Sequence, residues 1–172
     1  MAERENSTVE VRPSKIGGLG VFALNGFRAG EVIREFAVER EITRADPLRA
    51  GEKPEHAFLS NGRFLLAAVP DRHFNHSCDP NAYLRYIDSA RHVVARRDIA
   101  PDDEINVDYL INNSCGESWP CHCGAHRCRG LTGTSFFELP QDFQREYLTL
   151  LAPWFRLKHP REMETLLCKL RR

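Results

Sequence analysis

Along residues 9–110 the apolar positions recur mostly with period two, in short runs separated by turn residues. VEVRPS (9–14) alternates apolar and polar. KIGGLGVFALN (15–25) breaks at Gly17, Gly18 and Gly20 and then runs apolar. EVIREFAVEREIT (31–43) reads as one longer alternating segment, and GRFLLAAV (62–69) as a strand. AYLRYID and RHVVARRDI form a predicted hairpin turning at Asp88–Ser89–Ala90, and DEINVDYL (103–110) is a further strand. Residues 43–61 are polar and punctuated by Pro and Gly, so they read as loop with at most one helical turn. Many short strands with frequent turns predict a mainly β domain.

The pattern changes in the last third. Residues 112–134 hold four of the six cysteines, with little apolar periodicity. LPQDFQREYLTLLAPWF (139–155) has Phe143, Tyr147, Leu150 and Leu151 on one helical face. Pro140 suits the first turn of that helix, and Pro153 should end it. HPREMETLLCKLRR (159–172) predicts a second helix, with Met163, Leu166, Leu167 and Leu170 at helical spacing and basic residues in its last turn. Cys168 on this helix reads as a small core residue. Three units follow: a β domain over 8–111, a cysteine-rich segment over 112–134 and a helical extension over 135–172.

With 42% hydrophobic and 28% charged residues, the chain can fold as a soluble globule with a modest core. The formal charge is zero, so the electrostatic footprint of non-specific nucleic-acid binding is missing. The polar start MAERENSTVE lacks the apolar run of a signal peptide, and FLLAAV (64–69) is far too short to cross a bilayer. An intracellular, reducing location is expected, and the cysteines then read as thiols or metal ligands.

Three features carry chemistry. CHCGAHRCRG (121–130) spaces Cys121, Cys123 and Cys128 as C-x-C-x4-C, three thiols that can converge on one zinc ion. The fourth ligand must come from elsewhere: Cys78, Cys115, His122 and His126 are candidates. FNHSCDPNAY (74–83) is too polar for a core strand and too particular for a linker. GGLG (17–20) precedes a strand; it is neither a dinucleotide fingerprint nor a phosphate loop, because no helix and no G-K-[ST] follow. Tyr109, at the end of the last strand, is by itself an ordinary rim residue.

Taken in order, these stretches resemble one family, the SET-domain protein methyltransferases. KIGGLGVFA is similar to the family's K-x-x-G-x-G-V-F-A. DRHFNHSCDPNA resembles R-F-x-N-H-S-C-x-P-N, with Arg72, Asn75, His76, Ser77, Cys78, Pro80 and Asn81 in place. ARRDIAPDDEINVDY resembles A-x-R-D-I-x-x-G-E-E-I-x-x-D-Y, and CHCGAHRCRG the post-SET C-x-C-G-x-x-x-C-R-G. The resemblance spans about residues 15–131. It implies small curved antiparallel sheets around a pseudoknot and a zinc-bound post-SET loop; the C-terminal helices lie outside the shared pattern and are expected to pack on the domain, with a dimer or partner surface as the alternative.

The resemblance also implies function: transfer of a methyl group from S-adenosylmethionine to a lysine amine of a protein, a histone tail or another substrate. Gly18, Leu19, Gly20, Asn75, His76 and Leu131 would line the cofactor and Tyr109 would be catalytic. Cys78, Cys121, Cys123 and Cys128 would hold a structural zinc ion. Direct nucleic-acid binding and membrane association are not expected. The competing reading is a zinc-stabilised interaction module that has kept the fold without turnover. Four departures from the pattern stand out. Asp102 replaces a usual Gly, and His73 an aromatic. Val107 stands where a Phe or Tyr usually limits the number of methyl groups. No tyrosine lies in 38–71, leaving His56, Phe58, Tyr83 or Tyr86 to take the place of a second active-site tyrosine.

Overall fold

The computed structural model describes residues 7–88, 90–114, 116–133 and 135–171. Among these residues ten short strands form three sheets. The first contains β1 (Val9–Pro13), β2 (Leu19–Ala23), β10 (Glu104–Val107) and the two-residue β7 (Asn75–His76), in the order β1-β2-β10-β7. The second is β3 (Val32–Glu35), β9 (Ala90–Ala95) and β8 (Ala82–Ile87), ordered β3-β9-β8. The third joins β4 (Val38–Ile42), β6 (Arg63–Ala67) and β5 (Ala57–Ser60), ordered β4-β6-β5. All named pairings are antiparallel except β7 with β10.

The long alternating segment 31–43 is two strands, not one. Phe36 and Ala37 separate β3 from β4, and the two halves join different sheets. Alternation fixes which side chains share a face, but it does not say where a strand changes sheet. Residues 43–61 hide a strand, β5, after a 3-10 turn at Pro54–His56. Of the predicted hairpin turn, Ser89 lies outside the described residues; Asp88 beside it has a positive φ of 47°.

The helical extension is more broken than its periodicity suggests. α1 (Gln141–Tyr147) is followed by a 3-10 turn, Leu148–Leu150, and Pro153 starts α2 (Pro153–Lys158) instead of ending a helix. Pro lacks an N–H and fits a first turn as readily as it stops a last one. α3 (Pro160–Leu170) buries Met163 and Leu166 but leaves Leu167 and Cys168 exposed, so Cys168 is not a core residue.

Two cores result. The first joins the sheets through Val9, Val21, Ile33, Phe74, Val93, Ile105, Val107 and their neighbours. The second packs Leu110 against Phe136, Phe143, Tyr147, Phe155, Met163 and Leu166. Leu110 directly follows Tyr109, just past the end of β10. The helices are thereby packed against the segment that carries the candidate site.

Candidate active site and metal centre

The site is built where β7 lies parallel to β10, with Asn106 beside Asn75 and Val107 beside His76. Two residues cannot hold a strand by ladder bonds alone, and side chains complete it. Asn81 and Asn106 exchange bonds, each backbone N–H donating to the other's Oδ1 at 3.1 and 2.9 Å. The Ser77 N–H donates to the Val107 carbonyl at 3.0 Å. The polar FNHSCDPNAY stretch is therefore a buried connector whose side chains do the work a longer strand would do.

That pairing sets Tyr109 against His76. The Tyr109 N–H donates to His76 Nδ1 at 3.2 Å, and the rings lie 5.2 Å apart. Burial, helped by the Arg129 cation and opposed by Asp108, lowers His76 to about 4. The ring is therefore neutral, with Nδ1 as acceptor and the proton on Nε2, which lies 3.4 Å from the Cys78 sulfur. The Tyr109 hydroxyl donates to the Phe74 carbonyl at 2.8 Å. Desolvation around the phenol oxygen and the negative charge of Glu104 push it up to about 12, although the residue as a whole stays partly exposed.

The glycine turn closes on the same place. Asn75 Nδ2 donates to the carbonyls of Leu19 (3.0 Å) and Gly17 (3.3 Å) and to Glu104 Oε1 (2.8 Å). Gly18 has φ +49°, a left-handed conformation that suits glycine. Gly20 leaves room for the Glu104 carboxylate, which a Cβ there would push aside. Leu19, Tyr109 and Leu131 stay 45, 41 and 54% exposed. A backbone-rich turn flanked by exposed apolar side chains is the kind of surface that receives a small ligand.

The four predicted thiols converge. The ligand atoms of Cys78, Cys121, Cys123 and Cys128 lie within 4.8 Å of one another. Cys78 and Cys121 are 3.7 Å apart, against about 3.8 Å for a tetrahedron with Zn–S bonds of about 2.3 Å. Backbone N–H groups of Cys78, Arg129 and Gly130 approach Cys123, Cys78 and Cys128 sulfurs at 3.4–3.5 Å, donors that suit thiolates. Burial raises Cys78. At Cys123 burial also pushes upward, but N–H donors and neighbouring thiols outweigh it and bring the thiol to about 7. The donor set fits one tetrahedral zinc ion. His122 and His126 are not in the cluster, and Cys115 lies outside the described residues.

Three residues of this site were not singled out from the sequence, although each stands inside a motif quoted above. Asp108 and Arg129 form a two-pronged ion pair that ties the cysteine loop to the segment after β10 that carries Tyr109. Glu104 braces Ser14, Gly20 and Asn75. Asp102 takes a φ of 69°, the conformation for which glycine is the usual residue, and pairs with Arg12. Val107 belongs to the first core at 4% exposure and not to the exposed rim around Tyr109. Among the substitutes for a second tyrosine, Tyr86 spends its hydroxyl on Ser60, Arg91 and Trp154, each at 3.2 Å. Phe58 packs edge-on to Phe36, which stacks on Phe74; His56 packs edge-on to His73. Arg72 pairs with Glu39.

The SET domain family model matches residues 18–110, more than half of the chain. The chain belongs to the SET domain family, and its small antiparallel sheets with few C-terminal helices are those of the SET fold. It is 31% identical over 134 residues to histone-lysine N-methyltransferase TRX1 of Oryza sativa subsp. japonica, covering 69% of this chain and 13% of that protein. It is also 31% identical over 151 residues to histone-lysine N-methyltransferase ATX2 of Arabidopsis thaliana, covering 76% and 13%. With the H3 lysine-4 specific histone-lysine N-methyltransferase of Saccharomyces cerevisiae the identity is 32% over 133 residues, covering 68% and 12%. The chain thus corresponds to about an eighth of the length of these relatives.

Proposed function

We propose that this chain transfers a methyl group from S-adenosylmethionine to the side-chain amine of a protein lysine, on a histone tail or another protein. The observation that carries the reading is the Tyr109 hydroxyl, anchored on Phe74 and set beside His76, whose neighbour Asn75 holds the glycine turn, in a SET fold. Bound S-adenosylmethionine would supply an already activated methyl group on a sulfonium. The protein's task is then positioning and desolvation.

The lysine must arrive neutral, which at pH 7 costs about 4–5 kcal/mol against a free pKa near 10.4. An apolar setting favours the neutral form, and the displaced proton goes to solvent. Tyr109, held protonated at about 12 and already donating to Phe74, has only lone pairs to offer. It would align the amine as an acceptor and not remove its proton. With that methyl donor bound, the lysine nitrogen would take the methyl group from sulfur, a C–N bond replacing the C–S bond and sulfur keeping the electron pair. Gly18, Leu19, Gly20, Asn75, His76 and Leu131 would line the cofactor. Zinc on the four thiols would be structural, closing the cysteine loop onto Cys78. Thiols held as ligands suit a reducing, intracellular compartment.

The test is transfer of labelled methyl from S-adenosylmethionine to core histones and to a cell lysate by zinc-loaded protein. Label on lysine that falls at least about a hundredfold in Tyr109→Phe supports the reading. Cofactor binding with no transfer to any protein would instead favour the interaction module.

A further inference from the structure

Glu104 is the carboxylate of this site whose charge has no partner. Its oxygens both accept from the Ser14 hydroxyl at 2.8 Å, and Oε1 accepts from Asn75 Nδ2 at 2.8 Å. These donors are neutral, and among the described residues Glu104 pairs with no Lys, Arg or His. Other shielded carboxylates nearby are treated differently: Asp71 meets Arg34, Asp79 meets Arg96 and Arg97, and Asp108 meets Arg129. Leaving a half-buried charge unpaired is costly, so its persistence calls for a cation that arrives from outside.

The position of the carboxylate says which cation. It lies against the backbone of the glycine turn, filling the space a side chain at Gly20 would take. Through one amide it is linked to the Gly17 and Leu19 carbonyls. The Asn75 amide that it holds stands next to His76, whose ring lies 5.2 Å from that of Tyr109, and its negative charge acts in the direction that raises the Tyr109 phenol. Resting on the cofactor reading above, we propose that Glu104 is an electrostatic positioning residue that makes the pocket prefer the sulfonium methyl donor over the neutral thioether left after transfer. The sulfonium loses its positive charge when the methyl leaves, so attraction to Glu104 is present for the reactant and absent for the product's sulfur. The consequence is discrimination at binding and easier product exchange.

The experiment compares calorimetric affinities for S-adenosylmethionine and S-adenosylhomocysteine in zinc-loaded wild type, Glu104→Gln and Glu104→Asp. Glu104→Gln should lose about tenfold for the sulfonium compound relative to the thioether, the size expected for one partly screened charge. Glu104→Asp should keep most of the discrimination. An equal loss for both ligands, or the same loss of discrimination in Glu104→Asp as in Glu104→Gln, overturns the proposal. A wild type that binds neither ligand brings down the cofactor reading itself, and this inference with it. Spectrophotometric titration against Tyr109→Phe gives a second readout that needs no cofactor: the Tyr109 phenol should ionise at lower pH in Glu104→Gln, and an unmoved phenol counts against the proposal. If Glu104→Gln does not fold, Ser14→Ala removes only a neutral donor and should preserve or sharpen the preference; a weakened preference there refutes it.

Discussion

The Arg129 guanidinium grips the Asp108 carboxylate with two hydrogen bonds, at 2.8 and 3.0 Å, and the Asp108 side chain is fully buried. One partner adjoins Tyr109 and the other adjoins Cys128, so the pair couples the cysteine loop to the candidate site. Asp108→Asn would leave a largely buried guanidinium without its counter-charge. It should destabilise the zinc-loaded protein by about 3 kcal/mol, read by urea denaturation. A double-mutant cycle with Arg129→Met should show strong coupling.

Zinc should bind at one ion per chain and be lost on Cys78→Ser, with loss of order in the 121–130 loop. Cys168→Ser should change neither zinc content nor stability, because Cys168 is exposed on α3 and far in sequence from the four converging thiols. Metal analysis and chelator-induced unfolding of the two variants check this.

Gly20→Ala should damage the site without touching the core. Its Cβ would displace the Glu104 side chain, breaking the bonds to Ser14 and Asn75 that brace the turn. Each such bond contributes about 1 kcal/mol, so a cost of roughly 2 kcal/mol is expected in thermal unfolding. Cofactor affinity should fall with it.

The helical extension is predicted to hold the cysteine loop. Arg127 lies 4.0 Å over the Phe143 ring, Arg129 lies 5.3 Å from it, and Arg127 also pairs with Asp142 and Glu146 at 2.9 and 3.1 Å. Phe143→Ala should cost about 3–5 kcal/mol through lost packing. It should also speed zinc release to a competing chelator.

Acid should loosen the 43–53 loop late. Hydrogen bonds from Arg40 and from the Arg49 N–H hold Glu52 down to about 2 from its ordinary 4.5. A depressed carboxylate stabilises the fold fully above pH 4.5, and that contribution is lost as pH falls toward 2. Glu52→Gln should remove this acid dependence in denaturation curves taken across the window.

The chain's local pattern was enough for its β character, its two C-terminal helical regions and the three clustered thiols, because period-two alternation, helical spacing and ligand spacing are short-range properties. The resemblance supplied Cys78 as the fourth thiol, and the structure brings it into contact with Cys121 across forty-three positions of chain. Spacing alone had left it level with Cys115 and two histidines. Other features were decided only in three dimensions. Where segment 31–43 divides between two sheets depends on which strands receive its halves. Whether Pro153 stops a helix or starts one depends on what lies after it. Cys168 and Leu167 follow helical spacing yet face outward, since the second core reaches only one side of α3. Glu104, Asp108 and Arg129 look like ordinary charged residues until folding either pairs or isolates them. Their roles are electrostatic, and the energy of a charge is set by the neighbours and burial that tertiary structure provides.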